Sequence, residues 1–137
     1  TKEELLDGNN KYTIEKTGES VEAKKQILFW SLPEVLIITI KRFSNSIQKN
    51  NTTVDFPLAD LDLSKYVIGY NSENYKYDLY GICNHMGDAL GGHYTACVKN
   101  ANNTWYHFND QDVTPIEKPD ALVSSYAYCL FYCKKNK

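Results

Sequence analysis

Cysteine is scarce in this sequence. Four in 137 residues are too few to staple a small secreted scaffold, which points to a reducing, intracellular compartment, cytoplasmic or nuclear. Charge of one sign is missing as well. Fifteen basic side chains, 15 Lys+Arg, face 17 acidic ones, for a formal net charge of −2. That balance leaves no electrostatic footprint for nucleic acid or for an anionic membrane. No apolar run approaches the length of a membrane span, and no secretory signal opens the chain. The first residue is Thr1 rather than Met, so the expectation is a piece cut from a longer protein. Repeats and low-complexity blocks are absent. At this length one modest core is affordable, and two are not obvious.

Tyrosine is abundant. Its 11 copies favour strands over helices. "TKEELLDGNNKY" reads as a short helix stopped by Gly8. "ESVEAKKQILFW" fits helix or strand equally. In "LPEVLIITIKRF", Val35 to Phe43 is β-branched and apolar on both faces at its centre, as in a buried strand. "SNSIQKNNTT" is a polar, Asn-rich loop. "DFPLADLDLSKYV" turns at Pro57. "YKYDLYGICNH" is a strand, and "MGDALGG" is a loop with three glycines in seven residues that ease its motion. "HYTACVK", "TWYHFN" and "AYCLFYCKK" complete a set of about six strands, so the fold expected is α+β, mostly antiparallel β.

The hairpin from 93 to 110 holds the candidate chemistry. With a turn near Ala101 and Asn102, His93 comes opposite Asn109 in one register and opposite Asp110 in the other. Either partner can accept an imidazole N–H. Such a partner fixes the tautomer and aims the other ring nitrogen at a nucleophile. Alternation puts Thr95, Cys97, Trp105 and His107 on the face of His93 and Asn109. Tyr94, Ala96, Val98, Tyr106 and Phe108 then form a uniformly apolar face, expected to turn toward the core.

Two other readings compete. His93 alone could be a half-exposed polar residue at a strand start. Cys83, His85, His93 and Cys97 could ligate a metal, although their spacing follows no zinc pattern. Cys129 and Cys133 sit four apart in an apolar strand and read as small core residues on one face.

Five ordered segments carry a more specific signal: "LPEVLIITIKRF", "VDFPLADLDLSKYV", "YDLYGICNHMGDALGGHYTACVKN", "WYHFNDQDVTPI" and "SSYAYCLFYCKK". Together they resemble the C-terminal half of the ubiquitin-specific protease catalytic domain. The resemblance covers most of residues 8 to 134. It implies the fingers-and-palm portion of a papain-like cysteine protease fold, with the whole of residues 1–137 in one catalytic domain. The activity implied is hydrolysis after the last glycine of ubiquitin, with no cofactor. Ubiquitin or a ubiquitinated protein is then the partner, along with the missing N-terminal half. By the same resemblance His93 is the general base, Asn109 the residue that orients it, and Asp110 a supporting acid. Phe43, His85 and Tyr94 line the channel for ubiquitin's tail. Ser44–Asn51 and Met86–Gly92 are the two loops that border the site.

Two departures qualify the resemblance. The family's nucleophile sits in an N-terminal block that this sequence lacks. Cys83, Cys97, Cys129 and Cys133 all fall inside strands, where no helix N-terminus stabilises a thiolate. The family's second zinc pair would follow "NKY", where Ile14 and Thr17 stand instead, so no metal is expected. A catalytically inactive ubiquitin-binding or scaffolding module is the alternative. Retention of His93, Asn109 and Asp110 argues against it.

Overall fold

The computed structural model describes residues 2–43 and 47–135. The chain divides into two compact units: the segment ending at Leu32 with Leu63–Asn74, and Pro33–Asp62 with the chain from Tyr75 onward. Among the described residues no helix is long and apolar enough to cross a membrane.

The first unit holds two short antiparallel ribbons. Strand β1 (Glu4–Leu6) pairs with β4 (Ala23–Lys25), and β2 (Tyr12–Thr13) pairs with β3 (Ser20–Val21). The helix expected at the N-terminus is therefore a strand followed by a 3-10 turn, Gly8–Asn10. So short a helix cannot repay its own nucleation, whereas pairing with β4 supplies backbone partners at once. Ile14 and Thr17 lie in the turn between β2 and β3. The amides of Thr17 and Gly18 donate to the Ile14 carbonyl, and the Thr17 hydroxyl accepts from the Glu19 amide. Farther on, Phe29 bridges to Val67, and the Trp30 and Tyr70 rings meet edge to face at 5.8 Å.

The second unit is a seven-stranded antiparallel sheet. Its strands are β5 (Val35–Thr39), β6 (Leu61–Asp62), β7 (Lys76–Gly87), β8 (Gly92–Lys99), β9 (Trp105–Asn109), β10 (Asp112–Ile116) and β11 (Ala127–Lys134). Their order is β10-β9-β8-β7-β11-β5, with β6 on β7. Helical content is limited to short 3-10 turns among the described residues. The architecture is thus mostly antiparallel sheet with few helices.

Strand β5 departs from the expectation of burial on both faces. Among the described residues it is an edge strand paired only with β11, and Val35 and Ile37 are exposed. The opposite edge, β10, was not anticipated. Pro115 weakens its strand signal but is tolerated where no neighbour needs the missing N–H.

The packed face of the sheet also differs from expectation. Tyr77, Leu79, Ile82, Cys97, Trp105, Leu130 and Tyr132 are buried, which puts the core on the face of Cys97 and Trp105. Ala96, Val98, Tyr106 and Phe108 are only half-buried, and Tyr94 is exposed. The register decides this. Cys97 pairs with Ile82, and Ile82 with Leu130, so β7 and β11 align their apolar rows with the more polar face of the hairpin. Two fully buried tyrosines anchor the core to the connecting segments. The Tyr77 hydroxyl donates to the Pro33 carbonyl at 2.8 Å, and the Tyr132 hydroxyl donates to the Pro57 carbonyl at 2.8 Å. Burial pushes both phenols up to about 12.

Candidate active site

Strands β8 and β9 meet in the pairs Ala96↔Phe108 through Lys99↔Trp105. The turn at their far end is tied by the Asn103 amide on the Asn100 carbonyl and the Asn100 amide on the Thr104 carbonyl. It is centred slightly later than the sequence suggests. Continuing the observed register one step puts Thr95, not His93, level with Asn109. Neither expected pairing, His93 opposite Asn109 or opposite Asp110, is therefore formed. His93 and Asn109 are instead diagonal neighbours on one face, within side-chain reach. His93 Nε2 lies 2.6 Å from Asn109 Oδ1. The amide oxygen can only accept, so Nε2 carries the proton and Nδ1 is left as the basic nitrogen. The Asp110 carboxylate stands 3.9 Å from the same Nε2, and its side chain is 79% exposed. Asp110 has φ 50° and begins the two-residue link from β9 to β10, where a primed hairpin turn takes positive φ.

Gly92 precedes His93 and has no room for a side chain. A Cβ there would collide with the Met86 carbonyl oxygen and with His85 Nε2. The preceding loop turns on Asp88, whose carboxylate accepts the amides of Leu90 and Gly91. Gly87, the last residue of β7, has φ 125°, outside the reach of ordinary L residues.

His85, Phe43 and Tyr94 come together, and Tyr128 joins them. His85 is 4.7 Å from Tyr94, 5.7 Å from Tyr128 and 6.0 Å from Phe43 between ring centroids. Tyr128 gave no sign in the sequence. Strand β11 shifts register against β7 between Ala127 and Cys129. The resulting bulge re-aims Tyr128, as bulges beside functional sites do. His93 and Tyr94 are consecutive and point to opposite sides of β8. Among the described residues, no ring contact links His93 to this cluster.

His85 is buried, and its Nδ1 has no hydrogen-bond partner. Burial pushes the imidazole below its ordinary value. The Lys49 charge adds to that depression, and Asp88 opposes it. The Lys49 ammonium donates to the His85 carbonyl. Residues 44–46 of the expected loop Ser44–Asn51 lie outside the described residues. The neck of that loop is held by Arg42, a second residue that sequence reasoning missed. Its buried guanidinium donates from Nε to the Ala127 carbonyl at 2.7 Å. Nη1 donates to the Asn50 and Thr52 carbonyls at 2.8 and 2.9 Å. Burial lowers its basicity, yet a guanidinium stays charged.

The four residues of the metal reading are split. Cys83 and His85 share one face of the sheet, and His93 and Cys97 share the other. Among the described residues no group of three or more His, Cys, Asp or Glu is placed to hold a metal ion.

Comparison with known proteins gives a consistent result. The family model for ubiquitin carboxyl-terminal hydrolase matches residues 2–132. The chain is 41% identical over 143 residues to ubiquitin carboxyl-terminal hydrolase 12 of Saccharomyces cerevisiae, covering 100% of this chain and 11% of that protein. It is 40% identical over 149 residues to ubiquitin carboxyl-terminal hydrolase 19 of Homo sapiens, covering 99% of this chain and 11% of that protein. Among solved structures, a SAGA DUB module containing Ubp8 superposes with TM-score 0.78 at 31% identity, covering 98% of this chain and 31% of that chain. A SAGA DUB module bound to monoubiquitin superposes with TM-score 0.77 at 29% identity, covering 98% and 30%. The chain thus spans about one-ninth of the length of these curated relatives.

Proposed function

We propose, from the premise that this chain belongs to the ubiquitin carboxyl-terminal hydrolase family, that it carries the general base of a thiol-dependent deubiquitinase. The observation that supports this best is the 2.6 Å contact of His93 Nε2 with Asn109 Oδ1. It leaves Nδ1 free to take a proton.

The reaction we infer runs in two stages. His93 Nδ1 accepts the proton of a cysteine thiol, and the thiolate attacks the carbonyl of ubiquitin's last glycine. The resulting imidazolium is held by Asn109, with Asp110 as a nearby anion. It then returns the proton to the departing amine. An acyl-enzyme remains, and His93 next draws a proton from water to release ubiquitin. Phe43, Tyr94 and Tyr128, packed around the buried His85, offer a mostly aromatic surface for the tail that leads to the bond.

None of this chain's cysteines suits the nucleophile's role. Burial raises the Cys83 and Cys97 thiols, which disfavours the thiolate. Among the described residues no cysteine is hydrogen-bonded to His93. The nucleophile therefore belongs to sequence outside this stretch. We place residues 1–137 in the C-terminal part of one catalytic domain, inactive without the rest and working in a reducing compartment.

A ubiquitin bearing a C-terminal electrophile tests the reading. The full-length protein should be trapped on a cysteine outside this sequence, and the isolated chain should not be trapped. Capture on Cys83, Cys97, Cys129 or Cys133 would overturn it, as would undiminished amide hydrolysis by full-length His93→Ala.

A further inference from the structure

Cys83 and Cys129 stand directly opposite each other across β7 and β11. Both are free, and both are half-buried. They lie on the outer face of the sheet, because their neighbours Ile82 and Leu130 fill the inner one. Burial raises the Cys83 pKa, and Cys129 raises it further. Cys129 Sγ also lies 3.7 Å from the Thr39 hydroxyl on β5. The other two cysteines are differently placed. Cys97 is buried on the inner face with the Asn84 amide on its sulfur at 3.5 Å. Cys133 is exposed, level with Val35 and Asp78.

Register alone brings the Cα atoms of the two half-buried cysteines into the range that a disulfide accepts. Opposed residues of an antiparallel pair have Cα atoms about 4.5–5.5 Å apart, and a disulfide accepts about 4.4–6.8 Å. The Cβ atoms of such a pair sit about 4.5–5.5 Å apart. A relaxed disulfide prefers roughly 3.5–4.5 Å. Closure must therefore draw β7 and β11 together slightly. A bond made under such tension is easily reduced again, which is the property of regulatory rather than structural disulfides.

We propose that Cys83 and Cys129 form a reversible thiol–disulfide switch beside the aromatic cluster. The oxidant is a low-molecular-weight disulfide of the glutathione class. One protein thiolate attacks it, forming a mixed disulfide and releasing one small thiol. The second protein thiolate attacks the protein sulfur of that mixed disulfide and releases the second small thiol. Two protein S–H bonds and one small-molecule S–S bond become one protein S–S bond and two small-molecule S–H bonds. The protein pair is oxidised and the small disulfide is reduced.

The location gives the bond a consequence. Cys129 follows Tyr128 at the β11 bulge, and Cys83 lies two residues before His85 on the same side of β7. The crosslink joins the strands that carry these two rings, whose centroids are 5.7 Å apart. Tightening there reshapes the surface assigned above to ubiquitin's tail, and this part of the inference rests on that assignment. Oxidation should raise KM more than it lowers kcat.

The experiment equilibrates the reduced full-length protein in glutathione buffers from fully reducing to fully oxidising. Free thiols are then alkylated and the peptides mapped. The expected product is a Cys83–Cys129 crosslink, recognised by loss of two hydrogen atoms and reversed by dithiothreitol. Failure of that crosslink at every ratio overturns the proposal, and so do glutathione adducts confined to Cys133 or pairing of Cys83 with Cys97. Kinetics on a ubiquitin C-terminal amide supply the second readout. KM should rise severalfold on oxidation in the wild type, and Cys129→Ser should remove that rise. Oxidation of the nucleophile itself persists in the variant and is subtracted. An unmoved KM with the crosslink formed overturns the switch. A protein that forms the crosslink but hydrolyses nothing in either state overturns the proposed function and leaves the disulfide site standing.

Discussion

The ring of His85 occupies the space that a side chain at position 92 would need. A Cβ on Gly92 would run into His85 Nε2 and the Met86 carbonyl. The glycine before His93 therefore serves packing across β7 and β8 rather than an unusual backbone angle. Gly92→Ala should force the strand ends apart and displace both His85 and His93. A loss of about 1–3 kcal/mol of stability is expected, the usual effect of overpacking a closed site. Gly91 faces open space, and Gly91→Ala should be close to neutral. Thermal midpoints of the two variants, measured side by side, check the contrast. Equal midpoints would show that the close approach has no energetic weight.

On the proposed function, the geometry around His93 ranks three substitutions in the full-length protein. His93→Ala removes the proposed base and should lower kcat/KM on the order of a thousandfold. Asn109→Ala removes one hydrogen bond to an imidazolium, worth about 1.5–3 kcal/mol, or roughly ten- to a hundredfold in rate. Asp110→Ala should cost least, since an exposed pair contributes only about 0–1 kcal/mol. The double variant Asn109→Ala/Asp110→Ala should lose more than the product of the two single losses, because Asp110 stands in for the missing amide. Kinetics showing Asp110→Ala to be the more damaging single change would reverse the assignment of the orienting residue.

The convergence of His93 and Asn109 was legible in the sequence because a hairpin has few registers. The register itself was misplaced, since Asn103 takes φ 61° and the turn uses one more residue than its polar run suggests. A shift in level along the strand still left His93 and Asn109 on one face, so the contact survived the error. The buried face was not legible. Alternation in β8 and β9 offers one uniformly apolar face and one mixed face, and the mixed one is buried because Ile82 and Leu130 on other strands align with it. The edge position of β5 was hidden for the same reason, as its residues alone look fit for a centre. Tyr128 was missed because a bulge depends on pairing between β7 and β11. Arg42 was missed because its partners are backbone carbonyls of Asn50, Thr52 and Ala127, which no sequence pattern marks.

Tyr132 tests the packing of the sheet on the connecting segments. Its ring is fully buried, and its hydroxyl donates to the Pro57 carbonyl at 2.8 Å. Tyr132→Phe keeps the ring and strands that carbonyl, at a cost of about 1–2 kcal/mol. Denaturant titration should show a lower midpoint with an unchanged slope. An unchanged midpoint would mean that water replaces the hydroxyl without penalty.

His85 should give the protein a measurable sensitivity to mild acid. Its imidazole titrates below the ordinary 6.5, first because it is buried and second because Lys49 repels the charged form. The unfolded chain therefore binds a proton that the folded chain refuses as pH drops through this range. Stability from this source is fully present above about 6.5. It is lost progressively as pH falls toward the folded value and then levels off. His85→Phe keeps an aromatic ring in the cluster and should flatten this part of the pH–stability curve. Lys49→Gln removes one cause of the depression and should make the loss shallower without abolishing it. His93 and His107 are present in every variant, so the difference curves isolate His85. The direct check is an NMR titration of the ring. A midpoint at or above 6.5 would mean that the buried site accepts the imidazolium, and the predicted acid sensitivity would have to come from another group.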